Sequence, residues 1–357
     1  MEIKDKILRQ DMEEIAGDGN LTDNLRNSTV FVTGATGLLG SQVVLALACM
    51  NRMQNSNIQI VAMARNEEKV KKVFGDLADE RDLTVYYGDI NSPIDYPGNV
   101  DYIIHGASPT SSKYFVAHPA ETIQTALKGT EYILEFARKK KISSMVYLSS
   151  LEVYGAPEGE KQRIGEKDYG YLDPMSIRSS YSEGKRMAEC MCAAYAGEYD
   201  VSVKVARLSQ TFGAGVEYQD SRVFAEFARC AVEKKDIILH TKGRTIRSYC
   251  YTKDAIRAIL YILSKGQKGE AYNVTNMDTA VSIREMAELV CSLYPENGIQ
   301  VKVEIPEDAA SFGYNPEMVI RLDSSKLQEL GWKPTVGLKE MFERMIKSGF
   351  SSCETEG

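Results

Sequence analysis

Residues 29–50, TVFVTGATGLLGSQVVLALACM, place an apolar strand, a glycine-rich turn and a helix in direct succession. The turn carries Gly34, Gly37 and Gly40 in a G-x-x-G-x-x-G pattern. Glycines at this spacing permit a tight turn and let the backbone approach a pyrophosphate closely, while the start of the helix offers free N–H groups to the phosphates. A glycine-rich turn without a ligand is the alternative interpretation, but the position of this turn between the first strand and a helix favours dinucleotide binding.

Apolar stretches and helical stretches alternate along the next part of the chain. The strand candidates that follow the first one are continuously hydrophobic and cover residues 58–64, 83–90, 100–108, 143–150 and 201–208. Strands that alternate with helices, such as the helical stretch 120–141, predict an α/β fold with a Rossmann-type, doubly wound parallel sheet. Continuous hydrophobicity is typical of strands buried on both faces of such a sheet.

The pattern loosens after residue 208, where helix-like 222–235 and 282–294 and strand-like 237–240 alternate with polar loops. We therefore expect a smaller C-terminal α/β lobe that is interleaved with the end of the sheet. The predicted parts are an N-terminal helical extension at 1–28, an NAD(P)-binding Rossmann domain at 29–208 and a substrate-binding lobe at 209–357.

Composition and charge argue against several classes of protein. The chain has 357 residues, a net charge of −7 and a pI near 5.3, and it carries no basic stripe interleaved with aromatic residues, so we expect no nucleic-acid partner. The longest apolar run, 43–50, is too short to span a membrane, and the charged N-terminus lacks the apolar core of a signal peptide. Seven scattered cysteines and three histidines are typical of a reduced, cytoplasmic protein without a metal site.

The end of the second strand is expected to select the cofactor, because an acidic residue there would bind the 2′-hydroxyl of NAD. Ala64 and Arg65 occupy this place instead, and a guanidinium suits the oxygens of a 2′-phosphate. The cofactor is therefore predicted to be NAD(P), with NADP favoured by Arg65 and NAD as the alternative. The alternative interpretation of Arg65 itself is an exposed arginine at a strand end with no role in binding. Asp89 is expected on the adenine side, although it could be an ordinary turn aspartate.

Residues 178–189, RSSYSEGKRMAE, place Tyr181 four residues before Lys185 in a helical stretch. Such a pair alone is weak, since residues at this spacing simply share a helix face. Together with TGATGLLG, GDI, HGAS, LSSLEVYG, ARLSQTFG and RSYCYTKDA, however, it makes residues 29–345 resemble the extended short-chain dehydrogenase/reductases of the NAD-dependent epimerase/dehydratase family. Within that family, residues 105–130, 178–189 and 243–255 are most similar to UDP-glucuronate decarboxylases (UDP-xylose synthases).

The resemblance implies roles for four candidate catalytic residues. Tyr181 would be the acid/base, Lys185 the cation that tunes it, and Ser150 the hydroxyl that orients the substrate. An unperturbed tyrosine has a pKa of about 10, so it needs a nearby cation to act as a base near neutrality. Glu152 could be a base near sugar C5 or, equally, a buried hydrogen-bonded carboxylate.

The resemblance also implies a nucleotide-sugar substrate, a C-terminal lobe that binds it and a homodimer built on a four-helix interface. The implied cofactor contacts lie in the glycine-rich turn and near strand ends: Gly34, Thr36, Gly37, Leu38, Leu39, Gly40, Arg65, Asp89, Ile90, Ala107, Tyr181 and Lys185. The implied substrate contacts are Ser108, Thr110, Tyr114, Gln210, Arg222 and Arg247. Arg247 could grip a carboxylate or a phosphate, with a structural arginine as the alternative.

Besides Ala64 and Arg65, further positions differ from those of related enzymes. Leu151 stands where 4,6-dehydratases place an aspartic acid, which argues against dehydration, while Ala126 and Gln210 each replace an asparagine. Two enzymatic functions therefore stay open. The first is oxidation at sugar C4 followed by decarboxylation or epimerisation and re-reduction, and the second is net NADPH-dependent reduction of a keto sugar nucleotide or related activated sugar. A non-catalytic NAD(P) sensor is the third reading, disfavoured by the intact Ser150, Tyr181 and Lys185.

Overall fold

The computed structural model describes residues 3–157, 162–305 and 317–350, so Cys353 and the outermost residues of both predicted terminal parts lie outside the described residues. The helices are α1 Lys6–Ala16, α2 Gly19–Leu25, α3 Leu38–Gln54, α4 Glu67–Phe74, α5 Ser112–Ala117, α6 Pro119–Lys140, α7 Ser179–Glu198, α8 Val223–Glu233, α9 Thr252–Lys265, α10 Ile283–Leu293, α11 Ser325–Gln328 and α12 Leu338–Lys347. Short 3-10 helices cover Gly75–Asp79, Leu151–Tyr154 and Pro295–Asn297.

The strands are β1 Thr29–Thr33, β2 Gln59–Ala64, β3 Leu83–Tyr87, β4 Tyr102–His105, β5 Ser144–Ser150, β6 Val203–Leu208, β7 Gln210–Phe212, β8 Ile237–Leu239, β9 Ile246–Tyr251, β10 Ala271–Val274, β11 Asn276–Ser282, β12 Val301–Val303 and β13 Val319–Ile320. Each strand predicted between residues 29 and 208 is present, and the observed bounds are trimmed where the chain turns out of the sheet.

The main sheet has seven parallel strands in the order β10-β6-β5-β4-β1-β2-β3. The winding direction reverses between β1 and β4, so the carboxyl ends of these two strands flank a crevice. Ligands bind at this switch point in sheets of this kind. The predicted Rossmann-type, doubly wound parallel sheet is confirmed.

The C-terminal part of the chain contributes to both sheets. Strand β10 pairs with β6 at the edge of the main sheet, and the preceding helix α9 packs on β5 and β6. A second, four-stranded sheet is centred on β9, which pairs with β7, β11 and β13. The central strand β9 therefore reaches the crevice from the side of the smaller lobe.

The N-terminal helices α1 and α2 pack on α3 and α9 rather than projecting from the fold. The anchor is Asp11, a fully buried carboxylate that accepts hydrogen bonds from the Tyr251 hydroxyl at 2.6 Å and from the Arg344 guanidinium at 2.7 Å. Burial raises the pKa of Asp11 to about 6, although both partners oppose this shift. Asp11 thus joins the N-terminal segment to β9 and α12. Among the described residues, no helix is long and apolar enough to cross a membrane.

Candidate active site

The glycine-rich turn is fixed by close backbone contacts on two sides. Gly34 has a φ of +67°, and a Cβ added to it would lie 2.7 Å from the carbonyl carbon of Gly106. A Cβ on Gly40 would lie 2.2 Å from the carbonyl oxygen of Gly34. Both positions therefore require glycine: one lets β1 approach the segment after β4, and the other lets α3 pack against the turn.

The N-terminus of α3 is open toward the crevice. Gly37 is its N-cap residue and has no side chain that could accept hydrogen bonds from the first amides of the helix, which include those of Leu38 and Leu39. Thr36 precedes it and is partly exposed. Unsatisfied amides at the positive end of a 17-residue helix are a ready anion site, so the turn fits a dinucleotide pyrophosphate.

The segments after β2, β3 and β4 line the rest of the sheet edge formed by the carboxyl ends of the strands. Arg65 is exposed and forms no ion pair with any residue of the described ranges, and its positive charge acts on Tyr114 of α5. Asp89 accepts a hydrogen bond from the Asn91 amide at 2.9 Å, the arrangement of a turn aspartate, and Ile90 is buried against α6. The structure therefore brings Tyr114, predicted to bind substrate, close to the residue predicted to bind the 2′-phosphate.

A buried histidine supports the segment after β4. The Nδ1 of His105 lies 2.7 Å from the Thr33 hydroxyl, which also accepts a hydrogen bond from the Ala107 amide at 3.2 Å. Burial lowers the pKa of His105 to about 3, with the charge of Lys185 acting in the same direction, so the imidazole stays neutral. This chain of contacts joins β1 to the backbone at Ala107, a predicted cofactor contact.

Ser150, Tyr181 and Lys185 converge as the resemblance implied. Ser150 ends β5, and Tyr181 and Lys185 lie on successive turns at the start of α7. The Lys185 ammonium donates to the Leu148 carbonyl at 2.8 Å and lies 5.8 Å from the centroid of the Tyr181 ring. The carboxyl end of β5 and the start of α7 thus hold all three groups at the crevice.

The charges around Tyr181 differ from the sequence-based expectation. Burial raises the pKa of Tyr181 to about 12. A hydrogen bond from Ser150 and the positive charge of Arg222 oppose this shift, while the negative charge of Glu152 adds to it. Burial also lowers the pKa of Lys185 to about 8, opposed by Glu189. The groups found to favour the phenolate are Ser150 and Arg222, so the tuning role of Lys185 stays a prediction.

Sequence reasoning missed the ionic support behind these residues. Glu189, one turn after Lys185, accepts a hydrogen bond from the Ser149 hydroxyl at 2.5 Å and pairs with the buried Arg207 of β6 at 2.6 Å. Arg207 also donates to the Tyr154 hydroxyl at 3.0 Å. An arginine inside the apolar stretch 201–208 was the available signal, since a charge in a buried strand requires a partner.

Arg247, a predicted substrate contact, lies on β9. Arg247 is 7% exposed, and its guanidinium donates a hydrogen bond to the Ile246 carbonyl at 3.2 Å. Burial lowers the pKa of Arg247, and the negative charge of Glu152 opposes that shift. Glu152 therefore lies within electrostatic range of both Tyr181 and Arg247, and the surroundings of these three residues are called the pocket below.

The other predicted substrate contacts are distributed around this pocket. Arg222 pairs with Asp220 at 2.6 Å, so a substrate phosphate would have to share its guanidinium. Gln210 on β7 is in register with Tyr249 on β9. The Ser108 hydroxyl donates to the Pro109 carbonyl at 3.2 Å, and Thr110 follows in the same segment. These residues border the crevice, and their contacts with a substrate stay predictions.

Leu151 follows Ser150 directly but turns away from the polar groups. It is buried in a small apolar cluster whose other members are Val153, Tyr154, Ile164, Ile320 and Leu322. A leucine side chain has no proton to give, and a carboxyl group in these apolar surroundings would be costly to bury. The site as described therefore has no general acid at this position.

Comparisons with known proteins concern the fold and the family of the chain. The chain is 29% identical to UDP-glucuronic acid decarboxylase 6 of Arabidopsis thaliana over 321 residues, covering 88% of this chain and 86% of the relative. Its fold is similar to epimerase Mth375 of Methanothermobacter thermautotrophicus, with a TM-score of 0.76 at 20% identity over 93% and 95% of the two chains. A UDP-glucuronic acid 4-epimerase variant of Bacillus cereus matches with a TM-score of 0.72 at 19% identity over 90% and 98%.

The match to a protein family covers most of the chain. The model of the NAD dependent epimerase/dehydratase family matches residues 30–275, a range that contains the glycine-rich turn, Ser150, Tyr181 and Lys185. The predicted resemblance is confirmed, and so is the prediction of an enzyme of the extended short-chain dehydrogenase/reductase type. The chain belongs to the NAD dependent epimerase/dehydratase family.

Proposed function

We propose that this enzyme decarboxylates UDP-glucuronate by a redox-neutral route through a 4-keto sugar. The single observation that carries the proposal is that the charge of Glu152 acts on both the buried Arg247 and the Tyr181 phenol. A buried guanidinium with donors to spare is suited to a carboxylate, because charge-assisted pairs of this kind are strong and directional. The names of the curated relatives, such as UDP-glucuronic acid decarboxylase 6, support the same substrate.

The cofactor of the proposed reaction would be held by the open N-terminus of α3, by the glycine-rich turn and by Lys185 at the ribose. Bound NAD(P) supplies a hydride acceptor at sugar C4 and later the donor. Tyr181 takes the proton of the 4-hydroxyl, and Ser150 holds the reacting oxygen through its hydrogen bond to the same phenol. The raised pKa of Tyr181 makes the phenolate a strong base and the phenol a weak acid, so the phenolate depends on Ser150 and Arg222 for stabilisation.

The decarboxylation step follows from the 4-keto group. A carboxylate on C5 is then β to a ketone, so the C5–C6 bond breaks, its electron pair enters the C4 carbonyl as an enolate, and carbon dioxide leaves. The protonated Tyr181 stabilises the developing charge on the C4 oxygen. Glu152 is the candidate to pass a proton from solvent to C5, and Arg247 orients the carboxylate before it departs.

A second candidate function is net reduction of a keto sugar nucleotide with NADPH. The observation in its favour is Arg65, which has no ion-pair partner within the described ranges and stands where an NAD-selective enzyme carries an acid. NADP selectivity suits an enzyme that consumes a reductant. We propose NADP as the preferred dinucleotide in either case.

Product analysis distinguishes the two functions. The protein is incubated with UDP-glucuronate, UDP-glucose and a 4-keto sugar nucleotide, each with and without NADPH, and products are identified by mass spectrometry. Loss of carbon dioxide from UDP-glucuronate without added reductant supports the proposal. An isomer of unchanged mass identifies an epimerase instead, and a product that forms only with stoichiometric NADPH identifies the reductase.

We also propose a homodimer that pairs α6 and α7 with their counterparts in a second copy. The outer face of these helices exposes apolar side chains, including Ile123 at 39% and Met187 at 52%. Exposed apolar side chains grouped on adjacent helices are typical of protein interfaces. Light scattering after size exclusion should give twice the chain mass of 39.8 kDa, and Met187→Asp should shift it toward the monomer. A monomeric wild-type protein would contradict this arrangement.

A further inference from the structure

We propose that Phe115 is a positioning residue for Tyr181, holding the plane of the phenol ring and covering one of its faces. The inference rests on the proposed acid/base role of Tyr181 and extends it to a residue that has no reactive group. Phe115 lies on α5, in the segment after β4, and neither its residue type nor its spacing from other motifs singles it out in the sequence.

The contact between the two rings is close and nearly parallel. Their centroids are 4.2 Å apart, and the angle between their planes is 6°. Phe115 is 4% exposed, so it is itself fixed by packing. The Ser180 hydroxyl, next to Tyr181, donates to the Phe115 carbonyl at 3.5 Å. The start of α7 and the middle of α5 are thus joined at one place by the Ser180–Phe115 hydrogen bond and by the stacked rings.

The hydrogen bond with Ser150 alone does not fix the phenol. A single bond to the oxygen still allows the ring to rotate about the axis through that oxygen, and rotation changes the direction in which the proton is exchanged. A ring stacked face to face on Phe115 cannot rotate without losing the contact. The stack therefore selects one plane, and Ser150 selects one oxygen position within it.

The stack also affects the proton affinity of Tyr181. The face of an aromatic ring carries negative electrostatic potential, so a phenolate that lies on the face of Phe115 is disfavoured relative to the neutral phenol. Phe115 also keeps water from that face, which again disfavours the charged form. Both effects raise the pKa of the phenol, in the direction that burial takes it. Phe115 thus favours transfer of the proton from the C4 hydroxyl to the Tyr181 phenolate and opposes the reverse transfer.

The test replaces Phe115 by aliphatic side chains and by another ring. Phe115→Leu and Phe115→Met remove the stack but keep apolar volume, Phe115→Tyr keeps the stack, and Val116→Ala, at an exposed neighbouring position, is the control. Folding is checked by circular dichroism and thermal melting. We expect both aliphatic variants to lower kcat on UDP-glucuronate by about ten- to a hundredfold, as misplacement of a reacting group does, with little change in KM. Phe115→Tyr should restore most of the loss.

A second measurement does not need the substrate. Holoenzyme labelled with 13C at tyrosine Cζ is titrated by NMR, and the Tyr181 signal is assigned as the one absent in Tyr181→Phe. In Phe115→Leu and Phe115→Met this signal should titrate at lower pH than in the wild type, whereas Val116→Ala should leave it unchanged. Folded aliphatic variants with an unmoved Tyr181 titration would overturn the proposal for Phe115. Absence of decarboxylation together with a shifted titration would instead overturn only the proposed reaction.

Discussion

The glycine-rich turn and the pocket around Tyr181 are built on opposite principles. The turn is formed by the backbone of residues 34 to 40, which are neighbours in sequence. The groups that would bind a phosphate are backbone amides, which any sequence of suitable geometry would offer. The pocket is formed by side chains that lie on or next to β5, α5, α7, α8 and β9. A local backbone site tolerates little substitution, whereas a site drawn from several segments can change one group at a time. Dinucleotide binding is therefore expected to be shared among proteins of this fold, whereas the reaction differs from one protein to another.

The largest expected effect belongs to the pocket. Tyr181→Phe keeps the ring stacked on Phe115 but removes the group that exchanges the proton, so kcat should fall by about 10³-fold or more. The measurement is product formation from UDP-glucuronate, with dinucleotide affinity followed in parallel. Because the turn is separate from the phenol, affinity for the dinucleotide should change far less than kcat.

Tyr195→Phe is the matched control for Tyr181→Phe. Tyr195 lies on the same helix, and its hydroxyl donates to Glu135 at 2.9 Å, away from the pocket. Its removal should leave kcat within about twofold, since a single partly exposed hydrogen bond contributes only about 1 kcal/mol to stability. A Tyr181→Phe variant that retains wild-type kcat would remove Tyr181 from the mechanism.

The next effect belongs to the turn and tests its intolerance of substitution. In Gly40→Ala the new methyl group would lie 2.2 Å from the Gly34 carbonyl oxygen, so α3 has to move away from the turn. We expect a loss of about 3 kcal/mol in the free energy of unfolding and no measurable dinucleotide binding by calorimetry. Gly197→Ala, on α7 with open space around its Cβ, should be neutral or slightly stabilising. Normal binding by Gly40→Ala would show that the turn is adaptable.

The same contrast explains what the sequence could predict. The parallel strands were found because burial on both faces demands unbroken apolar stretches such as TVFVT. Strand β10 was missed because its AYNV stretch is short and contains Asn273, whose amide is satisfied by Tyr154 at 2.6 Å from a distant part of the chain. Tyr181 and Lys185 could be named from spacing. Phe115 could not be named, because its partner Tyr181 lies on another helix and such a contact produces no periodic pattern in the sequence.

A charge on the substrate should reveal the role of Arg247. Charge-assisted hydrogen bonds to a buried guanidinium contribute about 1.5–3 kcal/mol, so Arg247→Gln should weaken binding of UDP-glucuronate by about ten- to a hundredfold. Binding of UDP-glucose, which has no carboxylate, should be nearly unchanged in the same calorimetric experiment. Arg247→Lys should be intermediate, and Arg284→Gln, which breaks an exposed pair with Glu288, should affect neither ligand. Equal losses for both ligands would assign Arg247 to the nucleotide instead of the carboxylate.

The smallest expected effect returns to the dinucleotide side, at Arg65, the side chain proposed to select NADP. Arg65→Ala removes an exposed cation from the end of β2, and exposed ion pairs contribute about 1 kcal/mol or less, so NADP affinity should fall by about two- to fivefold. Affinity for NAD should stay the same because NAD has no 2′-phosphate, and Arg81→Ala, in the exposed segment before β3, should change neither. Added salt should reduce the NADP preference of the wild type, since exposed charges are screened. If the wild type prefers NAD and Arg65→Ala leaves NADP affinity unchanged, Arg65 is an ordinary strand-end arginine and the selection lies elsewhere.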